Sequence, residues 1–177
     1  MLLFGHYPAR QNIGNTMKQN GKIGVIFICM GNICRSPTAE AVFRQKAEAA
    51  GIGGEVIIDS AGTHDYHVGH SPDERAVKAA RSRGYDMSGL RARQVSREDF
   101  RKYDYILAMD RQNLAVLQQI AGPELQSKAR LFMEYSSEFL EKEVPDPYYG
   151  GMRGFENVLD RVESASSGLL KAILAAR

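Results

Sequence analysis

The sequence is poor in cysteine, has no tryptophan and carries almost no net charge. Its 177 residues include two cysteines, 23 lysines and arginines, and 21 aspartates and glutamates, which gives a formal net charge of +2. Two cysteines are too few for a small secreted domain held together by disulfides, and balanced charge argues against nucleic acid as the main partner. No apolar run approaches the roughly 20 residues that cross a bilayer, so we expect no membrane insertion.

The first residues also lack the features of a secretion signal. Residues 1–4 form too short an apolar core, and the basic residue Arg10 follows that core instead of preceding it. We therefore expect a cytoplasmic protein. Residues 1–21 contain glycine, proline and amide residues without apolar periodicity, which predicts a flexible N-terminal extension before one domain over residues 22–177.

Apolar runs and helical patterns alternate along the predicted domain. Residues 22–29 form a continuous apolar run, which is typical of a strand buried on both faces. The remaining patterns predict strands at 55–60, 103–109 and 129–133, and helices at 36–50, 73–83, 111–120 and 155–173. This alternation predicts a three-layer α/β fold, with helices on both faces of a mostly parallel four-stranded sheet.

The loop after the first strand contains the clearest chemical pattern. Cys29 and Arg35 are separated by five residues, and a helix is predicted to begin directly afterwards, with Ser36 as its N-cap. Ligands of such folds bind beyond the carboxyl ends of the strands, where this loop lies. Five residues can curl so that their N–H groups form an anion nest, which the helix N-terminus reinforces. The predicted phosphate-binding residues are Met30, Gly31, Asn32, Ile33, Cys34 and Arg35.

Each conspicuous side chain of this loop has a chemical use. Arg35 offers a planar fork of donors to two phosphate oxygens. A field that holds an anion also stabilises the Cys29 thiolate, which makes Cys29 a candidate nucleophile. Ser36 could donate its hydroxyl to that thiolate instead of capping the helix. A cysteine and an arginine at this spacing also occur by chance, and Cys29 would then be a small buried apolar residue.

An acid for the leaving group is predicted far along the chain. Asp146 lies between two prolines, which stiffen the backbone and can hold one carboxylate in place. The alternative is an ordinary turn aspartate. The adjacent Tyr148 and Tyr149 favour the first interpretation because an exposed tyrosine pair suits an aromatic substrate wall.

Five separated segments match one known family in the same order. They are CMGNICRSPTAEA at 29–41, DSAGT at 59–63, ARQV at 92–95, DYILAMD at 104–110 and DPYYG at 146–150. On these segments the chain resembles the low-molecular-weight protein-tyrosine phosphatases.

The resemblance implies phosphotyrosine hydrolysis through a phosphocysteine, without metal or other cofactor. Its catalytic residues would be Cys29, Arg35 and Asp146, and its loop supports Asn32, Ser36 and Ser60. A substrate wall would comprise Ile33, Tyr66, Tyr148 and Tyr149. Cys34 would form a reversible disulfide with the nucleophile. The partners implied are phosphotyrosine-containing proteins, and inorganic phosphate or other oxyanions in the active site.

Other functions remain open at this stage. An arsenate reductase on the same scaffold needs further cysteines, and none follows Cys34. A protein-arginine phosphatase would carry a small polar residue at Ile33. A non-catalytic phosphopeptide-binding or redox-sensing module would keep the nest but could lose Asp146. Three histidines at 64, 67 and 70 could bind zinc, although a solvated rim is the simpler interpretation.

Overall fold

The computed structural model describes residues 21–177. The strands are β1 (Ile23–Cys29), β2 (Val56–Gly62), β3 (Tyr105–Ala108) and β4 (Ala129–Leu131). The helices are α1 (Arg35–Ala49), α2 (Glu74–Ser82), α3 (Asp99–Lys102), α4 (Arg111–Ala121) and α5 (Gly151–Ala175). Except for Gly21, the predicted N-terminal extension lies outside the described residues.

The four strands form one parallel sheet in the order β2-β1-β3-β4. Alternate residues of β1 enter two separate cores, since Val25 and Phe27 pack with α1 and α5, whereas Ile26 and Ile28 pack with α4. Burial on both faces explains why β1 reads as an unbroken apolar run. The predicted three-layer α/β fold with a parallel sheet is confirmed.

Two local predictions differ from the structure. Helix α1 begins at Arg35, and its N-cap is Cys34 without a side-chain cap bond, so the prediction that Ser36 caps the helix is wrong. The Ser36 hydroxyl instead lies 3.0 Å from Cys29 Sγ, on the inner side of the first turn. Helix α3 was not predicted because its four residues are too short to show an apolar period.

The longest helix follows the segment that contains Asp146. Helix α5 begins at Gly151, directly after the Pro- and Gly-rich residues, and packs along α1. Within residues 21–177, no helix combines the length and the apolar character needed to cross a membrane.

Candidate active site

The loop that follows β1 is fixed by the end of its neighbour β2. Cys29 is paired with Gly62 at the last position of the two strands. The N–H of Thr63 donates to the Cys29 carbonyl at 2.9 Å, and the N–H of His64 donates to the Met30 carbonyl at 3.0 Å. A Cβ at Gly62 would lie 2.6 Å from that Met30 carbonyl oxygen, so only glycine allows this close approach.

Cys29 lies at the base of this loop. It is 3% exposed, and its sulfur accepts a hydrogen bond of 3.3 Å from the N–H of Asn32. Within the part of the chain that the structure describes, no hydrogen bond uses the N–H groups of Gly31, Ile33 or Cys34. Together with the first turn of α1, free N–H groups around a buried thiol form an arrangement that can bind an oxyanion.

Asn32 organises the hydrogen bonds behind the sulfur. Its φ of 56° lies in the left-handed region, where asparagine is among the better tolerated residues. Its Oδ1 accepts from the N–H of Arg93 at 3.0 Å, which directs Nδ2 toward Ser36 Oγ at 2.8 Å and Ser60 Oγ at 2.9 Å. Since Ser36 Oγ accepts from Asn32, its own hydrogen can be donated to Cys29 Sγ at 3.0 Å or to the Ala61 carbonyl at 3.4 Å.

The chain of hydrogen bonds continues to a carboxyl group that the sequence interpretation missed. Ser60 Oγ donates to Glu40 Oε2 at 2.6 Å, and Glu40 is buried on the inner face of α1. Burial raises the Glu40 pKa above its usual value, although the Ser60 hydroxyl and Arg44 act in the opposite direction. Glu40 belongs to one of the matching segments, but nothing about it in the sequence distinguishes a buried carboxyl from a surface one.

Arg35 is held by groups from two distant parts of the chain. Its side chain is 4% exposed, and Nη1 donates to Asp110 Oδ2 at 2.6 Å and to the Val144 carbonyl at 3.0 Å. Burial disfavours the charged guanidinium, but Cys29 and Asp110 outweigh that penalty, so the net Arg35 pKa is raised. Asp110 was also missed, although it directly follows the third predicted strand, where site residues are expected.

Asp146 reaches the same guanidinium from the segment before α5. Its Oδ2 lies 3.6 Å from Arg35 Nη2, and its Oδ1 accepts from the N–H of Tyr148 at 3.0 Å. The Asp146 side chain is 52% exposed. Arg35 thus brings the carboxylate of Asp146 to the rim of the phosphate-binding loop, where it can meet a leaving group.

Exposed aromatic side chains lie on the segments that adjoin this rim. Tyr148 and Tyr149 pack edge to face at 5.0 Å, and Tyr149 is almost fully exposed. Tyr66 is exposed on the loop after β2, which is attached to Met30 by the N–H of His64. Its ring stacks on the His64 ring at 5.1 Å. Ile33 is half-buried within the phosphate-binding loop itself.

The three histidines lie on the loop between β2 and α2. The rings of His67 and His70 are 5.8 Å apart. A Cβ at Gly31 would lie 3.0 Å from the His67 ring, and His64 Nδ1 lies 2.9 Å from Thr63 Oγ1. Across residues 21–177, no group of three or more His, Cys, Asp and Glu side chains is arranged to hold a metal ion.

The family pattern described as low molecular weight phosphotyrosine protein phosphatase matches residues 24–177. The chain belongs to this family. Its relatives include the enzyme of that name from Schizosaccharomyces pombe, which is 43% identical over 152 residues, covering 85% of this chain and 97% of the relative. The expected membership of a family of hydrolases is therefore confirmed.

Solved structures agree with the family and with the fold. The protein tyrosine phosphatase of Entamoeba histolytica, solved with Hepes in the active site, has a TM-score of 0.84 at 38% identity, covering 87% of this chain and 98% of that one. The tyrosine phosphatase Wzb of Escherichia coli K30, solved with sulphate, has a TM-score of 0.74 at 32% identity, covering 85% and 97%.

Proposed function

We propose that the protein hydrolyses phosphotyrosine and related aryl phosphates through a phosphocysteine, with no metal. The observation that carries this proposal is the convergence of Cys29 Sγ, the free N–H groups of its loop and the Arg35–Asp146 contact in one small volume. A nest with a buried thiol alone could bind a phosphopeptide, but the carboxylate beside it provides the proton that cleavage needs.

The first step transfers the phosphoryl group to the enzyme. The Cys29 thiolate attacks phosphorus while the bond to the aryl oxygen breaks, and Asp146 donates its proton to the departing phenolate. The loop N–H groups and the Arg35 fork hold the equatorial oxygens, on which charge is spread in the transition state. Ser36 stabilises the sulfur anion by its hydroxyl at 3.0 Å, both before attack and as the leaving group of the second step.

The second step releases phosphate. Asp146, now ionised, takes a proton from a water molecule whose oxygen attacks phosphorus, and the phosphorus–sulfur bond breaks to restore the Cys29 thiolate. Inorganic phosphate then lies in the nest as the product, and we expect it to compete with substrate. Sulphate, which the Wzb structure contains, has the same tetrahedral shape as phosphate and the charge of the phosphate dianion.

Residues at the rim support an aromatic substrate. Ile33 offers an apolar contact to a phenyl ring, which a small polar residue suited to phosphoarginine would not. Tyr148, with Tyr66 and Tyr149, would border the ring of a phosphotyrosine on a protein. Two free thiols and the absence of a disulfide in residues 21–177 suit a reducing compartment, and we propose a cytoplasmic location.

The test compares purified wild-type protein with Cys29→Ser on para-nitrophenyl phosphate and on matched phosphotyrosine, phosphoserine and phosphoarginine peptides. We expect hydrolysis of the aryl substrates, undiminished by a chelator, and none by Cys29→Ser. Acid quenching during turnover should leave one phosphoryl group on the peptide that contains Cys29. Activity that requires added metal, or a preference for phosphoarginine, would contradict the proposal.

A further inference from the structure

Arg75 contacts the segment that contains Asp146 at Tyr148, two residues beyond the carboxylate. Its Nη1 donates to the Tyr148 carbonyl at 2.9 Å, and its guanidinium lies over the Tyr148 ring at 5.2 Å. The N–H of the same Tyr148 donates to Asp146 Oδ1. Tyr148 therefore joins Arg75 to the carboxylate, with one backbone group facing each of them.

The guanidinium is aimed by its neighbour Asp73. Arg75 Nε donates to Asp73 Oδ1 at 3.0 Å and Nη2 donates to Oδ2 at 2.8 Å, a two-point contact that leaves Nη1 for Tyr148. The side-chain bonds from Arg75 keep the Asp73 pKa below its usual value, although partial burial acts against them. The Phe155 ring, 4.9 Å from the guanidinium carbon, contacts it from α5.

Asp73 is itself attached to the phosphate-binding loop. Its N–H donates to the Ile33 carbonyl at 2.8 Å, and its side chain caps α2 by accepting from the N–H of Arg75. A continuous set of contacts thus runs from Ile33 through Asp73 and Arg75 to Tyr148 and Asp146. It connects the loop that holds phosphate with the residue that must protonate the leaving oxygen.

We infer that Arg75 is a positioning residue, which sets the Asp146 carboxylate over the phosphate-binding loop by holding the Tyr148 backbone. This inference rests on the proposed function. Backbone bonds hold the segment at Val144, two residues before Asp146, whereas the carboxylate itself is 3.6 Å from Arg35 and its side chain is 52% exposed. Arg75 supplies the anchor on the other side of Asp146, at Tyr148. A misplacement of about 1 Å can cost about 10²-fold in rate, which makes such an anchor worth measuring.

The test measures kcat/KM for a series of aryl phosphates with increasingly basic phenolates in wild type, Arg75→Met and Arg75→Lys. For phenyl phosphate, whose leaving group needs a proton, Arg75→Met should lose about 10-fold, part of the 10²–10⁴-fold that a general acid contributes. For 2,4-dinitrophenyl phosphate, which needs little protonation, the loss should be small. Arg75→Lys keeps one donor without the fork and should lie between wild type and Arg75→Met.

Two further variants separate positioning from structure. Arg83→Ala removes another guanidinium near α2, one that donates to Glu156 and Glu163 of α5. This variant should not change how kcat/KM depends on the leaving group. In an Asp146→Ala background, Arg75→Met should add no further loss for phenyl phosphate, because Arg75 acts through Asp146.

Equal losses of Arg75→Met across all leaving groups, or a full additional loss in the Asp146→Ala background, would overturn the inference. If Asp146→Ala itself showed no dependence on the leaving group, the proposed acid would be wrong and the role of Arg75 with it. The two Arg75→Met results would reject the role of Arg75 while Asp146 remained the proposed acid. The Asp146→Ala result would reject Asp146 itself, so the two failures are distinguishable.

Discussion

Cys29 and Asp146 belong to one site, but the protein holds them in different ways. Cys29 is 3% exposed at the end of a central strand, and its sulfur contacts the Ser36 hydroxyl and accepts from the backbone N–H of Asn32. Asp146 is half-exposed on an irregular segment, and its contacts run to Arg35 and to the backbone of Tyr148. The proposed nucleophile is fixed by the fold, whereas the proposed acid is fixed by a few contacts at the surface.

This difference separates stability from activity. Loss of a buried hydrogen-bonded group leaves its partners without replacements, at a cost of about 1–3 kcal/mol for each. Loss of an exposed group allows water to replace the missing partner, so the fold is hardly affected. Changes near Cys29 should therefore lower both the free energy of unfolding and the rate, while changes near Asp146 should lower the rate alone.

Apart from the loss of Cys29 itself, the largest effect on the rate is expected at the exposed side of the site. Asp146→Ala should lower kcat/KM for a phosphotyrosine peptide by about 10²–10⁴-fold, the usual contribution of a general acid. Its melting temperature should match that of wild type because the carboxylate is half-exposed. Glu138→Ala, which removes another exposed carboxylate, is the matched control and should retain full activity. An unchanged rate for Asp146→Ala would remove this residue from the mechanism.

The next effect tests the buried side. Asn32→Ala removes three hydrogen bonds and places alanine at a φ of 56°, so it should lower the free energy of unfolding by about 2–4 kcal/mol and kcat/KM by up to about 10²-fold. Asn32→Gly loses the same bonds but tolerates the backbone angle.

Asn32→Gly should therefore be about 1 kcal/mol more stable than Asn32→Ala, the reverse of the usual order. Chemical denaturation and steady-state kinetics measure both quantities on the same samples. If Asn32→Ala kept wild-type stability, the proposed separation between the two sides of the site would not hold.

The same contrast explains what sequence could predict. Cys29 and Arg35 lie within one short loop after an apolar strand, and Asp146 stands between prolines, so local spacing was enough to propose them. Arg75 contacts the site only because α2 begins beside it, and no local pattern encodes that contact. Asp110 follows the end of β3, which marks it as near the site, but no local pattern shows that it pairs with Arg35. Their distance along the chain from their partners, 75 residues for Arg35 and Asp110, explains why the sequence interpretation missed them.

A smaller effect is expected from the carboxyl group behind the loop. Burial raises the Glu40 pKa above its ordinary value of 4.5. At a pH between these two values, Glu40 is protonated in the folded protein and ionised in the unfolded chain. The resulting stabilisation is present below about pH 4.5 and is lost as pH rises through the raised pKa. Its size is about 1.4 kcal/mol for each pH unit that separates the folded-state pKa from the unfolded-state pKa.

Glu40→Gln removes this titration. The free energy of unfolding of wild type, measured relative to Glu40→Gln, should therefore decrease from pH 4 to pH 7. Ser60→Ala, which removes the hydroxyl that donates to Glu40, should increase this pH dependence because that hydroxyl stabilises the ionised carboxylate. If the free energy of unfolding of wild type relative to Glu40→Gln stayed constant from pH 4 to pH 7, the Glu40 pKa would not be raised by burial.

The smallest effect on the resting enzyme concerns the second thiol of the loop. Burial, with the nearby charges of Asp73, Cys29 and Asp146, raises the Cys34 pKa to about 12, so Cys34 is a thiol at neutral pH. Peroxide should oxidise Cys29 to a sulfenic acid, releasing water, and the Cys34 thiolate can then attack that sulfur, releasing hydroxide and forming a disulfide. Dithiothreitol should restore activity by reducing this bond.

The high pKa of Cys34 makes the rate of that second step the informative quantity. Only the thiolate attacks, so disulfide formation should accelerate about 10-fold for each pH unit between 7 and 9. Peroxide should also inactivate Cys34→Ala, with activity measured relative to the initial rate of that variant. Dithiothreitol should restore less of this activity than in wild type, because the Cys29 sulfenic acid is oxidised further. Equal recovery of Cys34→Ala and wild type would show that Cys34 does not protect Cys29 from further oxidation. The difference between the Cys29 side and the Asp146 side of the site would then depend on hydrogen bonding alone.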